Sequence, residues 1–333
     1  VDLVELSTRP TSNMTALRTA GIVYVASLGV LVAYNVRWKY LWSALVGRQP
    51  ETLPVTKVDG QEGSNSNPVP VILLHGMWHD ASYYGRLQQL LSLNGYTSYA
   101  VSLLPGKRLL PGGSQKELLT DLEHTLKQEV CGRYILLGHS QGGLLTQSAL
   151  QNSKEIRENA VAAVLLGTYP LGLTPPVGKL LKEPRNMYTD LGYAYICGFG
   201  KLVNVRYAKH MFLMPTTDEK EPAMGKYIEG LLKAPSDGLI TMSHFPATPK
   251  PVQTPALVLG ASDDIIYPPH LLKDEFDARF PNATHVVAEG QAHCFVDPGW
   301  EKTMAEPLLE WLDKHANLSR RVLLNRHPSR RRR

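Results

Sequence analysis

From Pro70 onward the chain alternates between short apolar runs and longer amphipathic stretches. Pro70–Leu74, Tyr96–Leu103, Tyr134–Leu137, Val161–Leu166, Pro255–Gly260 and Thr284–Gly290 are the length of strands and are bounded by polar or turn-forming residues. Between them, residues 81–93, 114–130, 144–150 and 300–314 carry the spacing of helices. Strand–helix alternation of this kind predicts a parallel sheet covered on both faces. A chain of 333 residues is long enough to bury one large core of that type.

The alternation stops between Pro170 and Thr254. That stretch has many prolines, helical patches and no convincing strand, and predicts a helical cap or lid inserted at about 171–254. Its Tyr188, Tyr193, Tyr195, Phe199, Met211, Phe212 and Met214 would either line an apolar pocket or form the cap's own core. Residues 1–46 form a distinct N-terminal segment. Within it, residues 19–36 run for eighteen positions without a charge, flanked by Arg18, Arg37 and Lys39, with Trp38, Tyr40 and Trp42 close by. Length, flanking cations and aromatics fit a membrane anchor; a helix docked on the folded domain and a signal peptide are the alternatives. Residues 47–69, rich in Gly, Pro, Ser and Asn, read as a linker.

The chemistry concentrates at Gly138-His139-Ser140-Gln141-Gly142-Gly143, which lies between an apolar strand and a helix. Glycines two before and two after the serine suit a sharp turn that lifts its hydroxyl above the sheet. A serine nucleophile needs a base, a group that orients the base, and donors for the oxyanion. His293, in the loop after the last predicted strand, fits the base. Asp263 or Asp264, after the strand ending at Gly260, fits the orienting acid. The loop His75-Gly76-Met77-Trp78 fits an oxyanion hole, with the Met77 N–H as one donor and the Gln141 N–H as the other. His75 reads as a loop-bracing residue. His75 and His79 lack the remaining pattern of a zinc site, and no metal is assigned.

These segments, taken in order with Asp297-Pro298-Gly299-Trp300, resemble the α/β-hydrolase-fold serine hydrolases, in their esterase and lipase-like branch. The resemblance covers roughly residues 68–316 and implies an α/β fold: a mostly parallel central sheet flanked by helices, with a helical cap. It implies a Ser140–Asp264–His293 triad, favouring Asp264 over its neighbour, a small-molecule ester or lipid substrate, and no metal or organic cofactor. The implied reaction is hydrolysis of lipophilic carboxylic esters through an acyl-enzyme. An acyltransferase on the same triad and a non-catalytic ligand receptor on the same fold are the rival readings. The usual first hairpin is weak, reduced to residues 53–58.

Charge alters the picture in one respect. The chain carries a formal +5, but +7 of this lies in residues 320–333, leaving −2 for the rest. The body is therefore no nucleic-acid binder on charge grounds, and residues 319–333 read as a solvated basic tail. Three widely spaced cysteines, Cys131, Cys197 and Cys294, show no disulfide framework or metal spacing and suit a reducing compartment. The expected location is a membrane surface reached through residues 19–36.

Overall fold

The apolar runs of the sequence pair side by side in the computed structural model, which describes residues 50–61, 67–76, 79–103, 115–130, 132–171, 212–214, 222, 223, 226 and 250–325. The strands are β1 (Val55–Val58), β2 (Asn67–Leu74), β3 (Tyr96–Val101), β4 (Tyr134–His139), β5 (Ala160–Leu166), β6 (Ala256–Ala261) and β7 (Thr284–Ala288). They form one sheet in the order β1-β3-β2-β4-β5-β6-β7. β1 runs antiparallel to β3, and every other pairing is parallel. β4, β5 and β6 are buried along their whole length, as strands covered on both faces must be.

The covering helices are α1 (Gly85–Leu93), α2 (Gln115–Glu129), α3 (Gln141–Asn152), α4 (Lys154–Asn159), α5 (Lys273–Arg279) and α6 (Glu306–Asn325). A 3-10 turn at Ala81–Tyr84 leads into α1, and a π-helical turn at Glu301–Ala305 leads into α6. The strand period of two divides the core. Ile72 and Leu74 of β2 face one layer with Leu122 of α2, Leu145 of α3 and Phe276 of α5. Val71 and Leu73 face the other, with Leu91 of α1 and Leu308 and Leu312 of α6. All described residues belong to one unit that begins at Pro50.

Two expectations need correction. The linker expected over 47–69 contains a strand, because β1 pairs residue for residue with β3, from Val55 opposite Val101 to Val58 opposite Ser98, and β2 already begins at Asn67. Thr56 and Lys57 are exposed, so the apolar signal there is thin; pairing with a strand forty residues away supplies the order. The basic tail expected from residue 319 is helical backbone through Asn325, because α6 continues into it; arginine and leucine, which dominate that stretch, are strong helix formers. The cap expected over 171–254 and the segment 19–36 lie almost entirely or entirely outside the described residues. Among the described residues no helix is long and apolar enough to cross a membrane.

Both ends of the insertion are tied to α3. The Gln147 amide donates to Tyr169 O at 2.7 Å and accepts from Leu171 N at 2.9 Å, holding the exit from β5. Gln151, one turn on, accepts from Lys250 N at 3.2 Å and from the Arg279 guanidinium at 2.7 Å. Arg279 also donates to Lys250 O at 3.0 Å. Arg279 is 3% exposed, and desolvation pushes its pKa down to about 10. Lysine cannot reproduce the two-pronged contact. Arg279→Lys is expected to lower stability by about 1–3 kcal/mol, read as a shift in urea midpoint with an unchanged slope.

Candidate active site

β4 ends at His139 and α3 begins at Gln141, so Ser140 alone makes the turn, at φ 52° and ψ −118°. A non-glycine residue reaches that region only when its surroundings over-determine it. Here they do. Ser140 N donates to Leu166 O at 3.0 Å, and Thr168 Oγ1 donates to Ser140 O at 2.6 Å. The flanking glycines admit backbone at van der Waals range. A Cβ on Gly138 would sit 2.3 Å from Gly142 O, and one on Gly142 would sit 1.9 Å from Leu74 O.

Asp264 follows β6 and His293 follows β7. Asp264 Oδ2 accepts from His293 Nδ1 at 2.8 Å. Its Oδ1 accepts from Ile266 N and Tyr267 N, both at 2.8 Å. A carboxylate with three donors around it is fixed in rotamer. An acceptor-only oxygen places the imidazole proton on Nδ1 and leaves Nε2 as the basic nitrogen. Both residues are 2% exposed. Asp263 instead accepts from Ser262 Oγ at 2.7 Å on the exposed side of the turn, so the aspartate hydrogen-bonded to His293 is Asp264.

Ser140 sits at the same end of the sheet. A Cβ on Gly76 would lie 2.9 Å from Ser140 Cβ and 3.1 Å from the His139 ring. The His139 and His293 rings are 4.9 Å apart. Among the described residues no hydrogen bond joins the Ser140 hydroxyl to His293; such bonds commonly tighten only when substrate is bound. Gln141 opens α3, which places its amide at the helix N-terminus. Met77 lies outside the described residues, next to Gly76.

Four imidazoles gather here. His75 donates from Nδ1 to Gly76 O at 2.7 Å and accepts at Nε2 from Leu103 N at 2.9 Å, bracing the loop after β2 as the sequence suggests. His79 stacks on Tyr83, centroids 4.4 Å apart and 5° from parallel, with Nε2 3.7 Å from Cys294 Sγ. Desolvation lowers the pKa of His75 to about 4 and those of His79 and His139 well below the ordinary value. Among the described residues no group of three or more His, Cys, Asp or Glu could hold a metal ion.

Sequence reasoning passed over several residues that shape this loop. Asp297 is fully buried and accepts from Ala292 N at 2.9 Å and Met214 N at 2.8 Å. Tyr83 donates to Cys294 O at 2.7 Å. Their signal is weak in sequence, because each acts by reaching a distant backbone atom; Asp297 was visible only as part of a matching segment.

The order of strands, the strained serine joint and the acid–histidine pair define a recognisable class. A model of the alpha/beta hydrolase family matches residues 71–306, and the chain belongs to that family. Among solved structures it is similar to a thermophilic esterase from Thermogutta terrifontis, at 18% identity, covering 79% of this chain and 94% of that one with a TM-score of 0.58. It is also similar to a monoacylglycerol lipase from Paleococcus ferrophilus, at 21% identity, 79% and 99% coverage and a TM-score of 0.56. An esterase from Exiguobacterium antarcticum shares 16% identity over 81% of this chain and 100% of that one, with a TM-score of 0.54. No curated protein matches the chain by sequence.

Two outcomes follow from this geometry. Gly142→Ala is expected to cost about 3 kcal/mol or more, because backbone must move to admit the methyl. Gly290→Ala, at φ 68° with open space around it, is expected to cost only about 1–2 kcal/mol of left-handed strain. Denaturant midpoints of the two variants check the order. The second outcome concerns pH. The unfolded chain protonates His75 near pH 6.5, while the folded chain excludes the proton down to about pH 4. Stability is therefore full above pH 6.5 and falls as pH drops toward 4, by about 1.4 kcal/mol per unit from this residue, with His79 and His139 adding in the same sense. Urea midpoints between pH 8 and 4 test this, and His75→Gln is expected to flatten the slope by about one proton.

Proposed function

We propose that this chain is a serine hydrolase of small-molecule carboxylic esters with an apolar acyl part. The observation that carries the reading is the 2.8 Å contact of His293 Nδ1 with a fully enclosed Asp264 carboxylate, at the sheet end where Ser140 stands on its strained turn. Ser140 Oγ attacks the ester carbonyl while His293 Nε2 takes its proton. Asp264 holds the imidazole in the tautomer that leaves Nε2 free and stabilises the imidazolium that forms. The Met77 and Gln141 N–H groups receive the oxyanion, each worth about 3 kcal/mol in reactions of this kind. His293 then protonates the leaving alcohol, activates water, and the acyl-enzyme releases its acid.

The surroundings favour an apolar substrate. Tyr267 lies 5.6 Å and Phe212 6.0 Å from the His293 ring, and Tyr169 stands 5.6 Å behind Tyr267. The structural neighbours described as an esterase and a monoacylglycerol lipase agree with that class. Attachment to a membrane through residues 19–36, and a reducing location for the catalytic domain, rest on sequence alone.

The full chain is expected to release free acid from p-nitrophenyl butyrate and to be labelled by a fluorophosphonate. Ser140→Ala is expected to abolish both, with the circular-dichroism spectrum unchanged. Asp264→Asn is expected to lower kcat by about 10⁴, and Asp263→Asn to leave it within about threefold. Turnover retained by Ser140→Ala would refute the assignment.

A further inference from the structure

The residue before the serine has no part in the mechanism above, yet its contacts are with the base. His139 is the last residue of β4 and is fully buried. Its Nε2 lies 2.9 Å from the carbonyl oxygen of His293. A carbonyl only accepts, so Nε2 carries the proton and donates. Nδ1 has no hydrogen-bond partner, which matches a neutral ring with a single proton committed to that carbonyl. The ring cannot swing away. Tyr83 stacks on it at 4.9 Å, the His293 ring lies at 4.9 Å, Phe295 meets it edge-on at 6.3 Å, and the Gly76 backbone packs against its Nδ1 side.

The same stack holds the next carbonyl, since the Tyr83 hydroxyl donates to Cys294 O at 2.7 Å. Two successive carbonyls of the histidine loop are thus pinned, one from the end of β4 and one from the 3-10 turn before α1. This matters because the backbone turns sharply just beyond, with Phe295 at φ 51°. A loop strained at that point has other conformations available unless its neighbours are fixed.

We propose that His139 is a positioning residue for His293, setting the distance between base and nucleophile through the His293 carbonyl. Ser140 and His139 are consecutive, so a hydrogen bond from one to the base loop fixes that loop relative to the other. The proposal rests on the triad reading above. A base displaced by about 1 Å costs rate without altering how substrate binds.

Side-chain reach separates this from a packing role. The glutamine amide reaches the place of Nε2, whereas the asparagine amide stops near Nδ1. His139→Asn and His139→Phe are expected to lower kcat for p-nitrophenyl butyrate at least tenfold with KM within twofold. His139→Gln is expected to retain at least half of kcat. The rate of fluorophosphonate labelling should fall in parallel with kcat, while its final stoichiometry stays at one per chain. Wild-type kcat in the asparagine variant, equal losses in all three variants, or a loss confined to the labelled fraction would overturn the proposal. A wild-type chain that neither turns over ester nor takes the label would instead remove the triad reading, and the proposal with it.

Discussion

The backbone at Ser140 sits in a conformation that an unconstrained serine avoids, and the site is built around keeping it there. Gly138 and Gly142 let strand and helix close on the turn, and the carbonyl of Leu74 presses against Gly142 from the neighbouring strand. Leu166 and Thr168 bind its two peptide groups from the other side. The joint is therefore a property of three adjacent strands. Because β2, β4, β5, β6 and β7 are parallel, their ends gather on one edge of the sheet, where Gly76, Ser140, Thr168, Asp264 and His293 each follow a strand. Residues more than two hundred positions apart meet without any of them leaving its own strand end.

Burial gives the surrounding imidazoles their character. His75, His79 and His139 are kept uncharged by desolvation, so they serve as flat aromatic bodies with one donor and one acceptor each. His75 uses both, tying the loop after β2 to Leu103. His79 lies in the stack through Tyr83 to His139 and thence to His293. Charged rings this close would repel one another. Neutral ones pack, and of these four imidazoles His293 is the one hydrogen-bonded to a buried carboxylate.

Much of this was legible in the chain. The buried strands β4, β5 and β6 announce themselves because strands covered on both faces are apolar at every position, and their limits differ from the sequence reading by a residue or two. Motif and chain order single out Ser140 and His293 as candidates, and both lie at the same end of the sheet. β1 was legible only as a weak segment at 53–58, because Val55–Val58 is half-exposed and owes its order to β3. Asp263 and Asp264 could not be separated by their own spacing; the difference is the direction of two adjacent side chains on a turn, one facing His293 and one facing Ser262. The role of His139 was hidden for a similar reason, since its partner is a main-chain oxygen that has no signature in sequence.

Gln147 and Gln151 lie four residues apart on one face of α3 and hold the two points where the chain departs from the sheet and comes back. The helix that follows Ser140 thus also anchors both ends of the stretch between β5 and β6. A replacement of another size, grafted between residues 171 and 250, would find both anchorages waiting, but it would leave the His293 loop intact only if it again supplied what Phe212 and Met214 give to His293 and Asp297.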